Sequence, residues 1–443
     1  MLSVVLRQAA VRSPVRSPIR SMSWIPAAVF VILANAAPVG AQQPQPAPAP
    51  AEPPAPATDI LKRGELLGDW GGARMRMGQK GTKIDASYTQ FFDWVPVGDD
   101  DRGFDYGGKV DVKVQSNLSK YLWEGFSAGG HFELRYGDVP LLAGGTFIPT
   151  STALLFPESS GTHAKISSLY GTQVFENKFL LQFGRFNMLD LYSAHPFTGG
   201  EGIDRFMNLS LVAPPVSART VPPSAEGVMF SVLKGARPQV TLGLIESTQD
   251  GFFENGATFM WTAELPVKLS KTLPGGISVG GEIGSFEGTS LDQTPWALIP
   301  PLGIPLEPVQ GAWTLNVTVD QFVWMHPNDP TKGMGVFGMF GVSDGDPSVL
   351  RTQMFVGFGG AAPFEGRSAD SFGAAFYYND ISNELEETVA PFLPIRNEQG
   401  VELYYAWAPV GWSRVTADLQ IIDPFLRRSE TRIFFGVRWK VIF

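Results

Sequence analysis

From Gly108 to Asn117 the chain reads GKVDVKVQSN, with Val110, Val112 and Val114 on one side and Lys109, Asp111, Lys113 and Gln115 on the other. Side chains alternate across an extended backbone but recur every 3.6 residues around a helix, so a period of two predicts a half-apolar strand. RVTADLQIID repeats the pattern, setting Val415, Ala417, Leu419 and Ile421 against Arg414, Thr416, Asp418 and Gln420. TLNVTVDQ and FMWTAEL do the same. Followed along the chain, the alternation predicts sixteen strands, at 82–94, 107–119, 126–137, 163–175, 178–187, 226–234, 238–248 and 256–269, then at 276–287, 311–325, 333–342, 351–361, 370–381, 400–409, 412–423 and 430–443. Ordinary strands average about five or six residues. Many of these run to roughly ten, which lets a tilted strand cross a hydrocarbon layer.

The connections alternate too. Those at 95–106, 138–162, 188–225, 288–310 and 382–399 are long, whereas KYLWEG, Glu176-Asn177, GAR, SKTLPG and Val410-Gly411 are short. A roughly threefold difference in mean length is expected of an outer-membrane barrel, with long loops outside and short turns in the periplasm. A soluble sandwich has no cause for it. NLSLV near Asn208 is a further short apolar run, excluded as a strand because bacterial barrels favour even counts. Tyr121, Trp123, Phe175, Phe179, Trp324, Trp407 and Trp412 gather at the short turns, where an aromatic girdle would meet the periplasmic interface. The closing segment ETRIFFGVRWKVIF turns Ile433, Phe435, Val437, Trp439, Val441 and Phe443 outward, and Arg432, Arg438 and Lys440 inward. Outer-membrane proteins end on such a strand, which their assembly machinery is expected to read. The expected fold is therefore all-β: a transmembrane antiparallel β-barrel.

Composition adds to this. Gly 49, 12% aromatic and only 17% charged residues favour strands and turns over helix interiors. Arg7, Arg12, Arg16 and Arg20 precede the apolar IPAAVFVILANAAPV and a small-residue site at Val39-Gly40-Ala41, the pattern of a signal peptide cleaved after Ala41. Its apolar core, interrupted by Pro26 and Asn35, is shorter than the ~20 residues of a membrane anchor. No later stretch reaches ~18 apolar residues, which excludes helical spans. The net charge of −9 would become −13 once those four Arg leave, so nucleic acid is excluded as a partner. With Cys 0 there are no disulfides, thiolate metal sites or Cys nucleophiles. Residues 42–60 are a Pro-rich spacer, 61–81 a short lead segment and 82–443 the barrel domain.

The lead segment contains LLGDWGGARMRMGQKG. Asp69-Trp70-Gly71-Gly72, then Arg74 and Lys80-Gly81, resembles the opening of the OprB-type carbohydrate-selective porins. FGRFNMLDLYSAHPF and GVELYYAWAPVGWSRVTADLQIIDP resemble two further family stretches in the expected order. The resemblance covers roughly Leu66 to Phe443 and implies a sixteen-stranded barrel passing small sugars, typically glucose, without an energy source. Read from the residues alone, Asp69 caps a short helix ended by Gly81, with Trp70 an interfacial plug.

A barrel of this size encloses water, so selectivity requires an infolded loop and inward side chains. The longest loop, from Met188 to Ala225, holds Asp190, His195, Glu201, Asp204, Arg205 and Arg219, with Tyr192 and Phe197 to face a sugar ring. Inward strand positions add Lys109, Asp111, Lys113, Glu133, Arg135, Glu402, Arg414, Asp418, Arg432 and Arg438. Mixed signs favour neutral, hydroxyl-rich solutes, since a ring of one sign would select counter-ions. A general or ion-preferring porin is the alternative reading, and a barrel-borne lipid hydrolase or adhesin a more distant one. The expected partners are small carbohydrates, outer-membrane lipid, lipopolysaccharide and the assembly machinery, with homotrimer formation left open and no cofactor.

Motifs for other chemistry are poorly framed. GFSAG, from Gly125 to Gly129, has the G-x-S-x-G spacing of a lipase-like hydrolase, but a turn precedes it and a strand follows, opposite to a nucleophile elbow. The four His, at 131, 163, 195 and 326, lack metal spacing and an evident carboxylate partner. GFGGAA at Gly357 reads as glycines in a strand, and Asp99-Asp100-Asp101 as a solvated loop tip without an EF-hand pattern.

Overall fold

The structure, a computed structural model, describes residues 59–97, 104–137, 144–155, 161–235, 237–248, 252–268, 270, 272–298, 304–327 and 329–443. The signal peptide, nearly all of the Pro-rich spacer and the Asp99-Asp100-Asp101 tip lie outside these. Sixteen strands form: β1 (Thr82–Val97), β2 (Phe104–Asn117), β3 (Phe126–Gly137), β4 (His163–Phe175), β5 (Phe179–Asn187), β6 (Ser224–Lys234), β7 (Arg237–Glu246) and β8 (Ala257–Lys268). The remainder are β9 (Pro274–Thr289), β10 (Pro308–His326), β11 (Asp329–Ser343), β12 (Leu350–Ala361), β13 (Ser371–Ile381), β14 (Glu398–Val410), β15 (Ser413–Asp423) and β16 (Arg432–Ile442). Each pairs antiparallel with its chain neighbours, and β16 closes on β1 from Ser87↔Ile442 to Val97↔Ile433. Closure leaves no sheet edge, which hydrocarbon requires because it cannot hydrogen-bond a stray amide.

The period of two becomes two surfaces. Leu242, Leu244, Phe259, Ile283, Leu315, Val317, Val356, Leu403, Phe435 and Val437 are exposed on the outer wall. Their inward neighbours are largely polar or covered. Tyr121, Trp123, Phe175, Phe179 and Trp407 are exposed near the short turns, whereas Trp94, Phe104 and Tyr106 are exposed toward the opposite end. The β4–β5 turn is tight because Glu176 and Asn177 both take positive φ, 49° and 54°. Two left-handed residues match the twist of paired strands, and Asn tolerates that conformation well.

The lead segment clasps the barrel seam. Helix α1 (Ala73–Gln79) is held by Asp69 Oδ1, which accepts the Met75 amide at 2.7 Å, and Gly81 follows at φ +87°. Arg74 lies 4.8 Å over the Trp70 ring, pairs with Glu65 at 3.0 Å and donates to the Phe443 backbone oxygen at 2.5 Å. Trp70 is thus a platform for Arg74.

The run NLSLV is helical: Asn208 caps α3 (Leu209–Val212), which follows α2 (Met188–Tyr192) in the loop 188–223. A fifth short helix, counting none of the 3-10 turns, is absent among the described residues; α4 (Asn383–Val389) is the last. The loop 188–223 folds into the barrel on an apolar foot. Leu189, Phe197, Phe206, Leu211 and Val212 pack on Phe337, Phe355, Tyr377 and Tyr404 of the inner wall. Full burial of such a side chain contributes about 1.5–3 kcal/mol. Small wall residues make room: a Cβ at Gly373 would lie 2.6 Å from Phe206, and one at Gly335 2.6 Å from Phe197.

Candidate functional site

Polar side chains fix the loop where the apolar foot ends. Glu402 on β14, fully buried, accepts the backbone amides of Met207 and Asn208, the second at 2.9 Å. Asn208 in turn donates to Gln420 at 3.1 Å and Tyr377 at 3.2 Å, while Gln353 accepts from Val216 and donates to Ser210. Arg438 on β16 donates to the carbonyls of Gly202 at 2.7 Å and Arg205 at 2.5 Å. Buried donors and acceptors left unmatched would each be costly, so this wall dictates the loop's path.

Two charged groups flank the loop. On the β2–β3 wall, Lys109 bridges Glu133 at 2.6 Å and Asp111 at 3.3 Å, and Lys113 reaches Asp190 at 2.9 Å and Glu201. His131 lies between carboxylates, with Nε2 3.0 Å from Asp111 and Nδ1 3.1 Å from Asp190. The spacing of its neighbours assigned His131 no such partner; the structure corrects this, because cross-strand pairing and the loop bring in both acids. On the β14–β16 wall, Asp204 meets Lys440 at 2.8 Å and Arg414 at 3.2 Å, and Asp418 lies 3.7 Å from Arg438. Burial opposes ionisation of Asp204, but Lys440 and Arg414 hold its carboxyl well below the usual carboxylate range.

The two groups meet at a cavity of about 160 Å³ lined by Asp85, Ser87, Asp111, Lys113, Glu201, Asp204 and Lys440, with Ala86, Gly200, Ile203 and Ile442. Asp111, Lys113, Glu201 and Asp204 are thus brought together as sequence parity and loop length suggest. Lys109, Glu133, Arg135, Glu402, Asp418 and Arg438 are inward but almost wholly covered: Glu402 and Arg438 bond the loop, and Lys109, Glu133, Arg135 and Asp418 bond residues of the wall. Arg414 stands behind Asp204, and Arg205 donates to the His195 carbonyl at 3.3 Å. Arg432 binds the Gly144 carbonyl at 2.8 Å, near the end with the long loops.

The aromatic pair is apart from this cavity. Phe197, 1% exposed, stacks on Phe337 at 5.6 Å, so its ring face is already occupied. Tyr192 is half-buried at the end of α2. His195 Nδ1 accepts from the Thr198 amide at 3.1 Å and hydroxyl at 2.9 Å; burial, then Arg205, pushes its pKa down to about 3. Lys440, Asp85 and Ser87 escaped the candidate list. Lys440 shares the inward parity of Arg438, but only ring closure brings it beside β1 and β2. Ser127 of the GFSAG stretch lies in β3, paired with Thr172 and Asn117, without the helix a nucleophile elbow needs.

A closed sixteen-stranded barrel, an apolar outer band and a loop folded across the interior define an outer-membrane porin. Residues 101–443 match the carbohydrate-selective porin, OprB family, and the chain belongs to that family; it is a sugar-selective porin of the outer membrane. The high-pH structure of Pseudomonas putida OprB is similar to it at TM-score 0.73 and 19% identity, over 86% of this chain and 99% of that one. The low-pH structure of the same protein aligns at TM-score 0.54 and 18% identity, with the same coverage. No curated sequence matches the chain significantly.

Proposed function

We propose that small neutral sugars such as glucose diffuse passively through the barrel past the cavity beside the infolded loop, with no chemical step. The observation that carries this is the juxtaposition there of acceptors Asp85, Asp111, Glu201 and Asp204 with donors Lys113, Lys440 and Ser87. A hydroxyl both donates and accepts, so an alternating lining suits a sugar, whereas it offers no uniform field to one ionic species. The outer apolar band would meet lipid and lipopolysaccharide, and β16 would be the strand read by the assembly machinery; the Pro-rich segment would serve as a periplasmic spacer.

The test is single-channel current in planar bilayers with glucose and maltose added, alongside liposome swelling over a sugar series. Graded current block by sugars, weakened in Lys113→Ala and Lys440→Ala, is expected. Swelling that follows molecular size alone, with a strong ionic reversal potential and no sugar block, would instead establish a general or ion-preferring porin. Phospholipid hydrolysis abolished by Ser127→Ala would make the chain an enzyme and overturn the reading.

A further inference from the structure

We infer that Asp111, His131 and Glu201 form a binding site for a zinc-class divalent cation that ties the infolded loop to the barrel wall. One donor atom from each residue lies within 4.8 Å of the other two, and all three residues are buried. Zinc binds imidazole nitrogen and carboxylate oxygen at about 2.0–2.2 Å, so neighbouring donors of a tetrahedral site stand about 3.3–3.6 Å apart. His131 Nε2 and Asp111 Oδ1, 3.0 Å apart, need to part by only a few tenths of an ångström to admit the ion.

The surroundings point to a cation as well. Both ring nitrogens of His131 face carboxylates, so a neutral imidazole would set a lone pair against one of them. With Nδ1–H donated to Asp190 at 3.1 Å, Nε2 is the nitrogen presented to Asp111. This is the carboxylate–histidine arrangement that orients metal ligands. Asp111 is 5% exposed, and its Oδ2 is buried with no hydrogen-bond partner.

Charge is also unbalanced. Among the described residues, four carboxylates, Asp111, Glu133, Asp190 and Glu201, meet two ammonium groups, Lys109 and Lys113, with the His131 ring between Asp111 and Asp190. A divalent cation suits a pocket in which carboxylates outnumber lysines. Asp204, further along the cavity, already has Lys440 and Arg414. If Glu201 turns to the metal, Lys113 keeps Asp190. The nitrogen-containing donor set favours zinc over magnesium or calcium, and the adjoining cavity supplies access and room for water to complete the coordination.

The site shares its cavity with the proposed sugar path, but metal binding is read without sugar, so either idea can fail alone. The tag-free mature chain, folded in detergent, is titrated calorimetrically with zinc chloride, and with cobalt(II) followed by absorption. One saturable ion per chain is expected, lost in His131→Asn and in Glu201→Gln, and weakened about 10–100-fold in Asp190→Asn. His163→Asn and His326→Asn should bind as the parent does. Heat-dependent gel migration checks folding; should His131→Asn misfold, the loop variant Glu201→Gln decides. No saturable binding, or binding unchanged in Glu201→Gln, would overturn the assignment and leave His131 as an imidazolium between two acids.

Discussion

Replacing Glu402 by alanine should release the infolded loop while leaving the barrel intact. The carboxylate accepts the Met207 and Asn208 amides, and alanine leaves both buried donors without that acceptor. Each unsatisfied buried donor costs about 1–3 kcal/mol, a ceiling of about 2–6 kcal/mol for the two. Water entering the space left by the side chain recovers part of this, so the closed loop should lose about 2–3 kcal/mol relative to an opened one. At 1.4 kcal/mol per decade, the open population rises by about 30- to 140-fold. Glu402→Gln retains one acceptor oxygen and should show about half the effect. The strand ladders are untouched, so heat-dependent gel migration should stay near that of the parent. Amide exchange at Met207 and Asn208 should accelerate by the same factor, and open-channel current noise should grow. Parental exchange at both amides, in a correctly folded variant with unchanged noise, would refute the idea that this carboxylate holds the loop.

Other outcomes follow from the same geometry. Cutting out part of Thr198 to Asn208 should enlarge single-channel conductance; an unaltered channel would show that the segment does not set the constriction. The closed loop should weaken as pH falls. Above the ordinary value of 6.5, His195 is neutral whether the loop is closed or open; below it, the opened loop takes up a proton that the closed one, with a pKa of about 3, refuses. Asp204 adds to the loss once pH drops through its ordinary value of 3.8, because its ionised form is favoured only in the closed state. Exchange measured from pH 7 to 4 should therefore quicken below about 6.5, and His195→Asn should delay the onset to the acid end. Gly373→Val would drive a side chain into Phe206 and Tyr404, where a Cβ already meets ring carbons at 2.6 and 2.4 Å. A loss of about 1–3 kcal/mol in loop stability is expected, read by the same exchange experiment. Arg74→Ala removes the contacts to Glu65 and the Phe443 backbone oxygen, and should lower the temperature at which the barrel unfolds on gels.

Alternation is a local property, and so the sequence by itself determined most of the barrel. The parity of Val110, Val112 and Val114 against Lys109, Asp111 and Lys113 tells which side meets lipid without knowledge of any neighbour. Strand positions and the unequal connections follow from the same reading, since a spanning strand and its turns are consecutive residues; the count of sixteen also drew on the even number of strands that bacterial barrels favour. NLSLV shows where this stops. Five residues carry too little pattern to separate a strand from a helix, and it is the Asn208 cap within a packed loop that makes it helical.

What the tertiary structure decided is which inward residues still meet water. Parity treats Lys109, Lys113, Arg438 and Lys440 alike. The loop covers the first and third, and leaves Lys113 and Lys440 at the cavity. As an aromatic in the longest loop, Phe197 is a candidate sugar platform from sequence, yet its ring stacks on Phe337 as part of the loop's apolar foot. Asp204 and Lys440 are 236 positions apart, as are the loop carbonyl of Gly202 and Arg438. Such pairings depend on ring closure and on the path of one long loop across the lumen, and no local periodicity records either.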